Sequence, residues 1–162
     1  MKHILGKIRR AVEDYNMIEE GDKIAVALSG GKDSIAMLQG LKALQRFYPK
    51  HFDLIAISVN PGFDFFDEDF LHKTCDKIGV NLFIERYDIS SIVFEDRHEK
   101  NPCSLCANLR RGILNTACIR ERCNKLALGH NLDDVLETFL MINLDVSILI
   151  RIFAPKKIWN KT

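Results

Sequence analysis

Residues 23–34 read KIAVALSGGKDS and join an apolar run to a glycine-rich turn. The run over residues 23–28 is typical of a buried parallel strand, and the residues after Ser34 favour a helix. A strand, a glycine-rich turn and a helix N-terminus together form an anion site, because backbone N–H groups and the helix dipole point at the ligand. Lys32 adds a positive charge, and Ser29 and Ser34 add hydroxyl donors. The predicted ligand is therefore a phosphate group.

The composition is that of a globular protein with a core of its own. The chain has 162 residues, of which 47% are hydrophobic, and a net charge of +1. This length suits one α/β domain, and the near-neutral charge does not by itself indicate a nucleic-acid-binding protein. We expect no membrane span and no signal peptide, because apolar runs are short and the first ten residues are charged. Five cysteines without a secretion signal predict a reducing cytoplasm.

Hydrophobic periodicity predicts strands that alternate with helices. The predicted strands cover residues 23–28, 52–59, 81–87 and 125–128, and the predicted helices cover residues 2–17, 35–47, 66–78, 104–122 and 132–142. The apolar stripe expected on the first helix consists of Ile4, Leu5, Ile8, Val12 and Tyr15. This alternation predicts an α/β fold with a doubly wound, mainly parallel sheet and helices on both faces. We expect a single domain over residues 1–162, made of an N-terminal helix and turn (1–22), a core (23–143) and a divergent tail (144–162).

A second motif, GHNLDD over residues 129–134, follows the fourth predicted strand. Ligands of open α/β sheets bind at the carboxyl ends of strands, so this segment and residues 29–34 can face one site. Carboxylates there could hold Mg²⁺ against the phosphates. Asp133 and Asp134 would also suit a helix N-terminus, and His130 could be a site residue or a loop donor.

Cys103 and Cys106 form a CxxC pair after a proline, at the predicted start of a helix. Thiolates at a helix N-terminus have a lowered pKa, which suits metal binding or sulfur chemistry. Two cysteines cannot complete a tetrahedral zinc site, and two ordinary thiols remain an alternative. Helical spacing predicts that Cys75 and Cys118 lie in the core, whereas Cys123 lies near a helix end.

Three motifs together carry a resemblance to a known family. Residues 29–34 lack the Walker A spacing and resemble the loop of the ATP pyrophosphatase (PP-loop) superfamily. Residues 102–114, PCSLCANLRRGIL, and then residues 129–134 follow in the order found in the tRNA 2-thiocytidine synthetase family, which the chain resembles over roughly residues 1–143. The resemblance implies an adenine nucleotide alpha hydrolase-like, Rossmann-like fold and cleavage of ATP between its α- and β-phosphates.

The resemblance also implies a reaction and its participants. AMP would be transferred to the C2 oxygen of a tRNA cytosine, at position 32, and sulfur would replace it to give 2-thiocytidine. The residues implied for nucleotide binding are Ser29, Gly30, Gly31, Lys32, Asp33, Ser34, Gly129 and Asp134, and those implied for catalysis are Lys32, Asp134, Cys103 and Cys106. Cys103 and Cys106 would be ligands of a 4Fe-4S cluster, with ATP and Mg²⁺ as the other cofactors. The expected partners are tRNA and a cysteine desulfurase or another sulfur donor, with a homodimer as an open expectation.

The sequence also departs from that family. The family's third cluster cysteine lies further towards the C-terminus, and residues 144–151 lack the glycine usual there. We therefore expect a fragment, a truncated gene product or a degenerate copy, in which the third cluster ligand is not identified. Two other interpretations stay open: 2-thiouridine synthesis on the same scaffold, and a nucleotide-binding remnant without catalysis. Lysidine synthesis fits less well because it needs no cysteines.

Basic residues predominate in two segments of the chain. They are Arg97, Lys100, Arg110, Arg111, Arg120, Arg122 and Lys125 in the first segment, and Arg151, Lys156, Lys157 and Lys161 in the tail. Such clustering can neutralise nucleic-acid phosphates, but a solvated helix face is the more common role of such residues. Arg110 and Arg111 directly follow the cysteine pair, which favours a role near the site, and we assign no individual phosphate contact.

Overall fold

Four parallel strands build the central sheet of the computed structural model, which describes residues 2–62, 66–88 and 102–130. Within these ranges the side chains of residues 2–4 and 102–104 are not described. The strands are β1 (Asp22–Ala27), β2 (Phe52–Asn60), β3 (Asn81–Arg86) and β4 (Lys125–Leu128). The described helices are α1 (Lys2–Asp14), α2 (Lys32–Leu44), α3 (Glu68–Ile78) and α4 (Pro102–Arg120). The chain divides into two compact units, Met1–Leu128 and Gly129–Thr162, and these elements belong to the first.

The strand order is β3-β2-β1-β4, and every neighbouring pair is parallel. Ala27, the last residue of β1, pairs with Ile57 of β2 and with Leu128 of β4. The chain winds outwards from β1 through β2 to β3 and then crosses back to β4, so β1 and β4 flank the topological switch point. The predicted doubly wound parallel sheet is confirmed.

Helices cover both faces of the sheet, because alternate strand residues point to opposite sides. On one face α1, α2 and α3 bury apolar side chains against β1 and β2; the cluster includes Val12, Leu38, Leu41, Leu71, Ile24 and Val26. On the other face α4 packs alone among the described helices; this cluster includes Leu114, Ala117, Cys118, Ala25, Ile55 and Ile57. The α/β layering expected from the sequence is therefore the observed one.

Two helices end earlier than predicted because a residue other than glycine reverses the backbone. α1 stops at Asp14, since Asn16 has φ 47° and the Met17 N–H donates back to the Val12 carbonyl at 3.0 Å. Tyr15 is consequently 74% exposed, so its predicted place in the apolar stripe is wrong. α4 stops at Arg120 in the same manner, with Arg122 at φ 56°.

Other boundaries shift by a few residues. α2 ends at Leu44, three residues before the predicted end. α3 begins at Glu68, two residues late, because the Asp67 side chain accepts a hydrogen bond from the Phe70 N–H and caps the helix. α4 begins at Pro102, two residues early, since proline suits the first helical turn. The helix predicted over residues 132–142 lies outside the described residues.

A buried carboxylate ties the amino ends of β1 and β4 together. Asp22 is 2% exposed and accepts hydrogen bonds from the Glu19 N–H at 2.6 Å and from the Asn124 side chain at 2.7 Å. The Lys125 ammonium lies 2.6 Å from the same carboxylate. Burial alone would raise the pKa of Asp22, but these donors outweigh it and hold the pKa below its ordinary value. This anchor fixes the strand from which the glycine-rich loop departs.

Candidate functional site

The loop over residues 29–34 leaves β1 from a rigid point beside the switch point. The Leu28 N–H donates to the Ile57 carbonyl at 2.8 Å, which continues the pairing of β1 with β2. The Leu28 carbonyl accepts a hydrogen bond of 2.6 Å from the buried Ser58 hydroxyl. The N–H and the carbonyl group of Leu28, the last residue before the loop, are thus both hydrogen-bonded. Sequence reasoning missed Ser58, because a serine inside an apolar run gives no signal of its partner.

Ser34 organises the loop from inside. Its hydroxyl is buried, donates to the Gly31 carbonyl at 2.9 Å and accepts from the Ser29 N–H at 3.3 Å. The hydroxyls of Ser29 and Ser34 lie 3.2 Å apart. Gly30 has φ 82°, a conformation that glycine adopts without steric cost. The loop therefore folds back on itself and brings Ser29 to the start of α2.

The N-terminus of α2 is left open towards a ligand. Its N-cap is Gly31, which has no side chain to bond the first-turn N–H groups. α3, by contrast, is capped by the Asp67 carboxylate at 2.8 Å from the Phe70 nitrogen. Lys32 is exposed at this first turn of α2. Backbone donors, a helix dipole and an ammonium group thus meet at one place, which suits a phosphate chain.

The helix that carries the two cysteines, α4, is anchored at its C-terminal end. That end is fixed at the amino end of β1, where the Lys23 ammonium donates to the Glu121 carbonyl at 2.7 Å. α4 has 19 residues and is therefore roughly 27 Å long. The other end of α4 carries Cys103 and Cys106, and that these cysteines lie beside residues 29–34 stays a prediction.

Cys106 is a free, half-buried thiol beside a guanidinium group. It packs against the α4 face of the sheet, and Nη2 of Arg110 lies 3.8 Å from its Sγ atom. Arg111, the next residue, is exposed. The side chain of Cys103 lies outside the described part of the structure. Of the two cysteines predicted to handle sulfur, Cys106 thus lies next to a positively charged side chain.

The remaining described cysteines belong to the core. Cys75 and Cys118 are 1% and 2% exposed, and burial raises the pKa of each thiol to about 11. Both core predictions are confirmed. Cys123 is half-buried, and burial raises its pKa as well. Within residues 2–62, 66–88 and 102–130, no group of three or more His, Cys, Asp or Glu side chains is arranged to hold a metal ion.

Two members of the predicted basic set are used inside the fold. Arg120 bonds both Glu85 and Glu121, and these carboxylates raise the pKa of its guanidinium. Lys125 pairs with Asp22 and also donates to the Met17 carbonyl at 2.8 Å. Both side chains thus have partners within the protein, and contact of the basic set with nucleic-acid phosphates stays a prediction. The tail residues of the set lie outside the described residues.

The acidic motif after β4 is described only at its start. β4 ends at Leu128, which pairs with Ala27. Gly129 is half-buried and His130 is exposed, whereas residues 131–134, with Asp133 and Asp134, lie outside the described residues. That this motif faces residues 29–34 stays a prediction.

A polar cluster at the carboxyl ends of β2 and β3 was not predicted. Arg86, at the end of β3, forms a two-pronged pair with Glu68 of α3 at 2.9 and 2.5 Å. Asn60, at the end of β2, donates to the same carboxylate at 2.7 Å. The only sequence signal was a polar residue at the end of each apolar strand.

A cavity of about 340 Å³ lies at the opposite, amino edge of the sheet. It is lined by Gly21, Asp22, Gln45, His51, Phe52 and Asp53. Its polar groups already serve the fold: Gln45 donates to the Phe52 carbonyl at 2.7 Å, and Asp22 holds β1 to β4. None of the predicted site residues lines this cavity.

Comparison with known proteins gives matches over most of this chain. The PP-loop domain family matches residues 2–160. The tRNA-cytidine(32) 2-sulfurtransferase of Geobacter metallireducens is 42% identical over 156 residues, which are 96% of this chain and 60% of that protein. The enzyme of the same name from Polaromonas naphthalenivorans is 45% identical over 141 residues, or 86% of this chain and 45% of that protein. The chain thus spans about half the length of these relatives.

Solved structures give the same picture at the level of the fold. The U34-tRNA thiolase NcsA from Methanococcus maripaludis, solved with its 4Fe-4S cluster, superimposes with a TM-score of 0.77 and 34% identity, over 91% of this chain and 50% of that one. The NAD⁺ synthetase from Burkholderia pseudomallei has a TM-score of 0.51 at 11% identity, over 87% of this chain and 73% of that one. The second likeness concerns the fold alone. None of the helices in the described residues is long and apolar enough to cross a bilayer.

Proposed function

This chain belongs to the PP-loop domain family, and from that premise we propose that it is the ATP-binding domain of a cytoplasmic tRNA sulfurtransferase. The proposed substrate is cytosine 32 of a tRNA, and the proposed product is 2-thiocytidine. The names of the relatives support this substrate, and the U34-tRNA thiolase supports a sulfur-transfer reaction on this scaffold. The proposal treats residues 1–162 as one domain.

The geometry of residues 29–34 carries the proposal. An uncapped helix N-terminus, an exposed Lys32 and a loop held by Ser34 stand at the switch point of a doubly wound sheet. This is where such folds bind the phosphates of a nucleotide. We propose that residues 29–34 bind the phosphates of ATP. These residues are Ser29, Gly30, Gly31, Lys32, Asp33 and Ser34.

In the proposed reaction the C2 oxygen of the base attacks the α-phosphorus of ATP. The bond between the α- and β-phosphates breaks, pyrophosphate leaves, and the base carries AMP on its oxygen. Lys32 and the first-turn N–H groups of α2 stabilise the negative charge that develops on the leaving pyrophosphate. A sulfide then attacks C2, and AMP departs with the oxygen.

Cys103 and Cys106 are the proposed sulfur-handling residues. They would hold two irons of a 4Fe-4S cluster, and the half-buried Cys106 thiol, free of any disulfide, fits that role. When bound, the cluster would supply a site for the sulfide that enters the reaction. The Arg110 guanidinium, 3.8 Å from the Cys106 sulfur, offsets the negative charge of a thiolate ligand.

Further participants complete the proposal. Asp134 is proposed as a catalytic residue, and Gly129 as a contact of the nucleotide. Asp133 and Asp134 are the proposed holders of Mg²⁺, an ion that prefers oxygen ligands and would offset the negative charge of the phosphates. A cysteine desulfurase or another sulfide source would supply sulfur, and the exposed Arg111 is a candidate contact for tRNA phosphates. A homodimer remains the proposed oligomeric state.

Mass spectrometry of nucleosides tests this function. The chain is reconstituted anaerobically with iron and sulfide and incubated with ATP, Mg²⁺ and an unmodified tRNA. We expect ATP-dependent 2-thiocytidine, a loss of about 100-fold in Lys32→Met, and near-normal activity in Lys42→Met at the other end of α2. Cys106→Ser should abolish sulfur transfer, whereas Cys123→Ser should not. Equal activity in both lysine variants would contradict the role of the loop.

A second candidate is 2-thiouridine synthesis, which the 34% identity to the U34-tRNA thiolase favours. The same digest separates the two, because 2-thiouridine and 2-thiocytidine differ in mass and retention. A 2-thiouridine product would replace the proposed substrate and leave the proposed chemistry intact. ATP binding without either product would favour the nucleotide-binding remnant.

A further inference from the structure

The Glu68 carboxylate joins three elements at the carboxyl edge of the sheet. It lies in the first turn of α3 and is bonded by Arg86 from β3 at 2.9 and 2.5 Å, and by Asn60 from β2 at 2.7 Å. Its side chain is 22% exposed, whereas that of Arg86 is 69% exposed. The two-pronged bond to Arg86, followed by the bond from Asn60, lowers the pKa of Glu68, so the carboxylate is charged at neutral pH.

This carboxylate controls the turn that follows β2. With its amide group held by Glu68, Asn60 presents its side-chain oxygen to the Gly62 N–H at 2.9 Å. The Asn60 carbonyl accepts the Tyr87 N–H at 3.0 Å. Gly62 has φ 87°, as a tight turn requires. The backbone path of residues 60–62 therefore depends on the Asn60 side chain. The hydrogen bond to Glu68 sets the orientation of that side chain.

The turn of α3 that follows Glu68 lies beside the phosphate-binding loop. Leu71, one turn after Glu68, is 2% exposed. Its Cδ2 atom lies 3.6 Å from the position that a Cβ atom would occupy on Gly30. α3 thus lies beside the loop at Leu71 and bonds the strand ends through Glu68. A shift of α3 would therefore affect both the phosphate-binding loop and the ends of β2 and β3.

We propose that Glu68 is a positioning residue of the nucleotide site, which holds the turn over residues 60–62 in place for the nucleoside part of ATP. β2 is the neighbour of β1 on the side opposite to β4, so this turn lies beside the phosphate loop at the ligand edge. Ligands of open α/β sheets bind outside the carboxyl ends of the strands, so this turn borders the place where the nucleoside would lie. The inference rests on the proposed function, because it takes ATP as the ligand.

Calorimetric titration with two ligands tests the proposal. ATP probes the phosphate loop and the nucleoside contact together, whereas inorganic tripolyphosphate probes the loop alone. For Glu68→Gln we expect the Kd for ATP to rise about tenfold, and the Kd for tripolyphosphate to stay within about twofold of wild type. A purely structural role would weaken both ligands alike, or neither.

Glu85→Gln is the matched control. Glu85 also belongs to β3 and forms a guanidinium pair, but its partner is Arg120 on the opposite face of the sheet. For Glu85→Gln we expect a shift of the unfolding midpoint comparable to that of Glu68→Gln, but an unchanged Kd for ATP. Arg86→Lys keeps the charge but loses the two-pronged bond, and it should reproduce the ATP-selective loss if Glu68→Gln folds poorly.

The outcomes separate this inference from the proposed function. A wild-type chain that binds neither ligand contradicts the proposed function itself. A wild-type chain that binds ATP, with Glu68→Gln and Arg86→Lys binding it equally well, overturns the role of Glu68 alone. Equal losses of affinity for ATP and tripolyphosphate in these variants also overturn the role of Glu68. The substitutions would then act on the fold or on the phosphate loop and not on the nucleoside contact.

Discussion

The backbone of the phosphate loop requires glycine at one of its two adjacent glycines and not at the other. Gly30 has φ 82°, which costs a residue with a Cβ atom about 1–2 kcal/mol. Gly31 has φ −74°, which any residue adopts, and a Cβ atom there would lie 3.4 Å from the Ser29 hydroxyl, close to ordinary contact. Gly30→Ala should therefore lower the free energy of unfolding by about 1–2 kcal/mol, and Gly31→Ala by less than about 0.5 kcal/mol. Urea unfolding measures both, and equal losses would contradict the assigned loop geometry.

The buried carboxylate at the start of β1 should matter more than any surface ion pair. Asp22→Asn removes the charge that Lys125 faces and weakens the link between β1 and β4. We expect a loss of about 2–3 kcal/mol, at the low end for a buried pair because Lys125 is 30% exposed. Glu13→Gln, which breaks the exposed pair with Arg9, should cost under about 0.5 kcal/mol. A similar effect of both variants on the urea midpoint would show that the Asp22 anchor is dispensable.

At the scale of elements, α1 and α2 pack closely because one residue lacks a side chain. A Cβ atom on Gly40 would lie 2.2 Å from Cδ1 of Ile8, so that methyl group must move. Gly112 of α4 has nothing within 4 Å of the same position. Gly112→Ala should therefore stabilise the protein by about 0.5–1 kcal/mol through helix propensity, whereas Gly40→Ala should gain nothing or destabilise.

Ile8→Val provides the test of this contact, because it removes the Cδ1 atom that clashes. In the Ile8→Val background, Gly40→Ala should recover most of the gain seen at Gly112. A double-mutant cycle read by thermal unfolding measures the coupling. Additive effects of the two changes would contradict close contact between α1 and α2.

The sequence predicted the strands better than the helix ends. β1 and β2 are buried on both faces, so their continuous apolar runs stand out from their surroundings. α3 ends at Gly79, as glycine at such a position predicts. α1 and α4 end through Asn16 and Arg122 in the left-handed region, and a bulky arginine gives no such signal.

One part of the candidate site could be predicted from the sequence, and another part could not. The loop over residues 29–34 is local in sequence, so its chemistry could be inferred from six consecutive residues. The cluster of Asn60, Glu68 and Arg86 exists only because β2 and β3 pair in a particular register, with Asn60 opposite Arg86. Side chains brought together by strand pairing cannot be found by scanning for motifs in one sequence.

At the scale of the whole molecule, stability should fall in acid. The pKa values of Asp22 and Glu68 lie below their ordinary values in the folded state, so the unfolded chain binds protons more tightly. Their contribution is present at neutral pH and is lost as the pH falls below about 4 towards the folded pKa values. Urea midpoints between pH 7 and pH 3 should drop for wild type and drop less for Asp22→Asn combined with Glu68→Gln. An equally steep drop in the double variant would assign acid lability to other groups.

Phosphorus NMR of ATP turnover tests the central claim most directly. The anaerobically reconstituted chain is incubated with ATP, Mg²⁺, sulfide and tRNA, and the phosphorus products are identified. An enzyme that adenylates its substrate through the loop after β1 must release AMP and pyrophosphate in equal amounts, with both signals lost in Lys32→Met. Release of ADP and inorganic phosphate would contradict the account, because it would mean that the loop directs attack to the terminal phosphate.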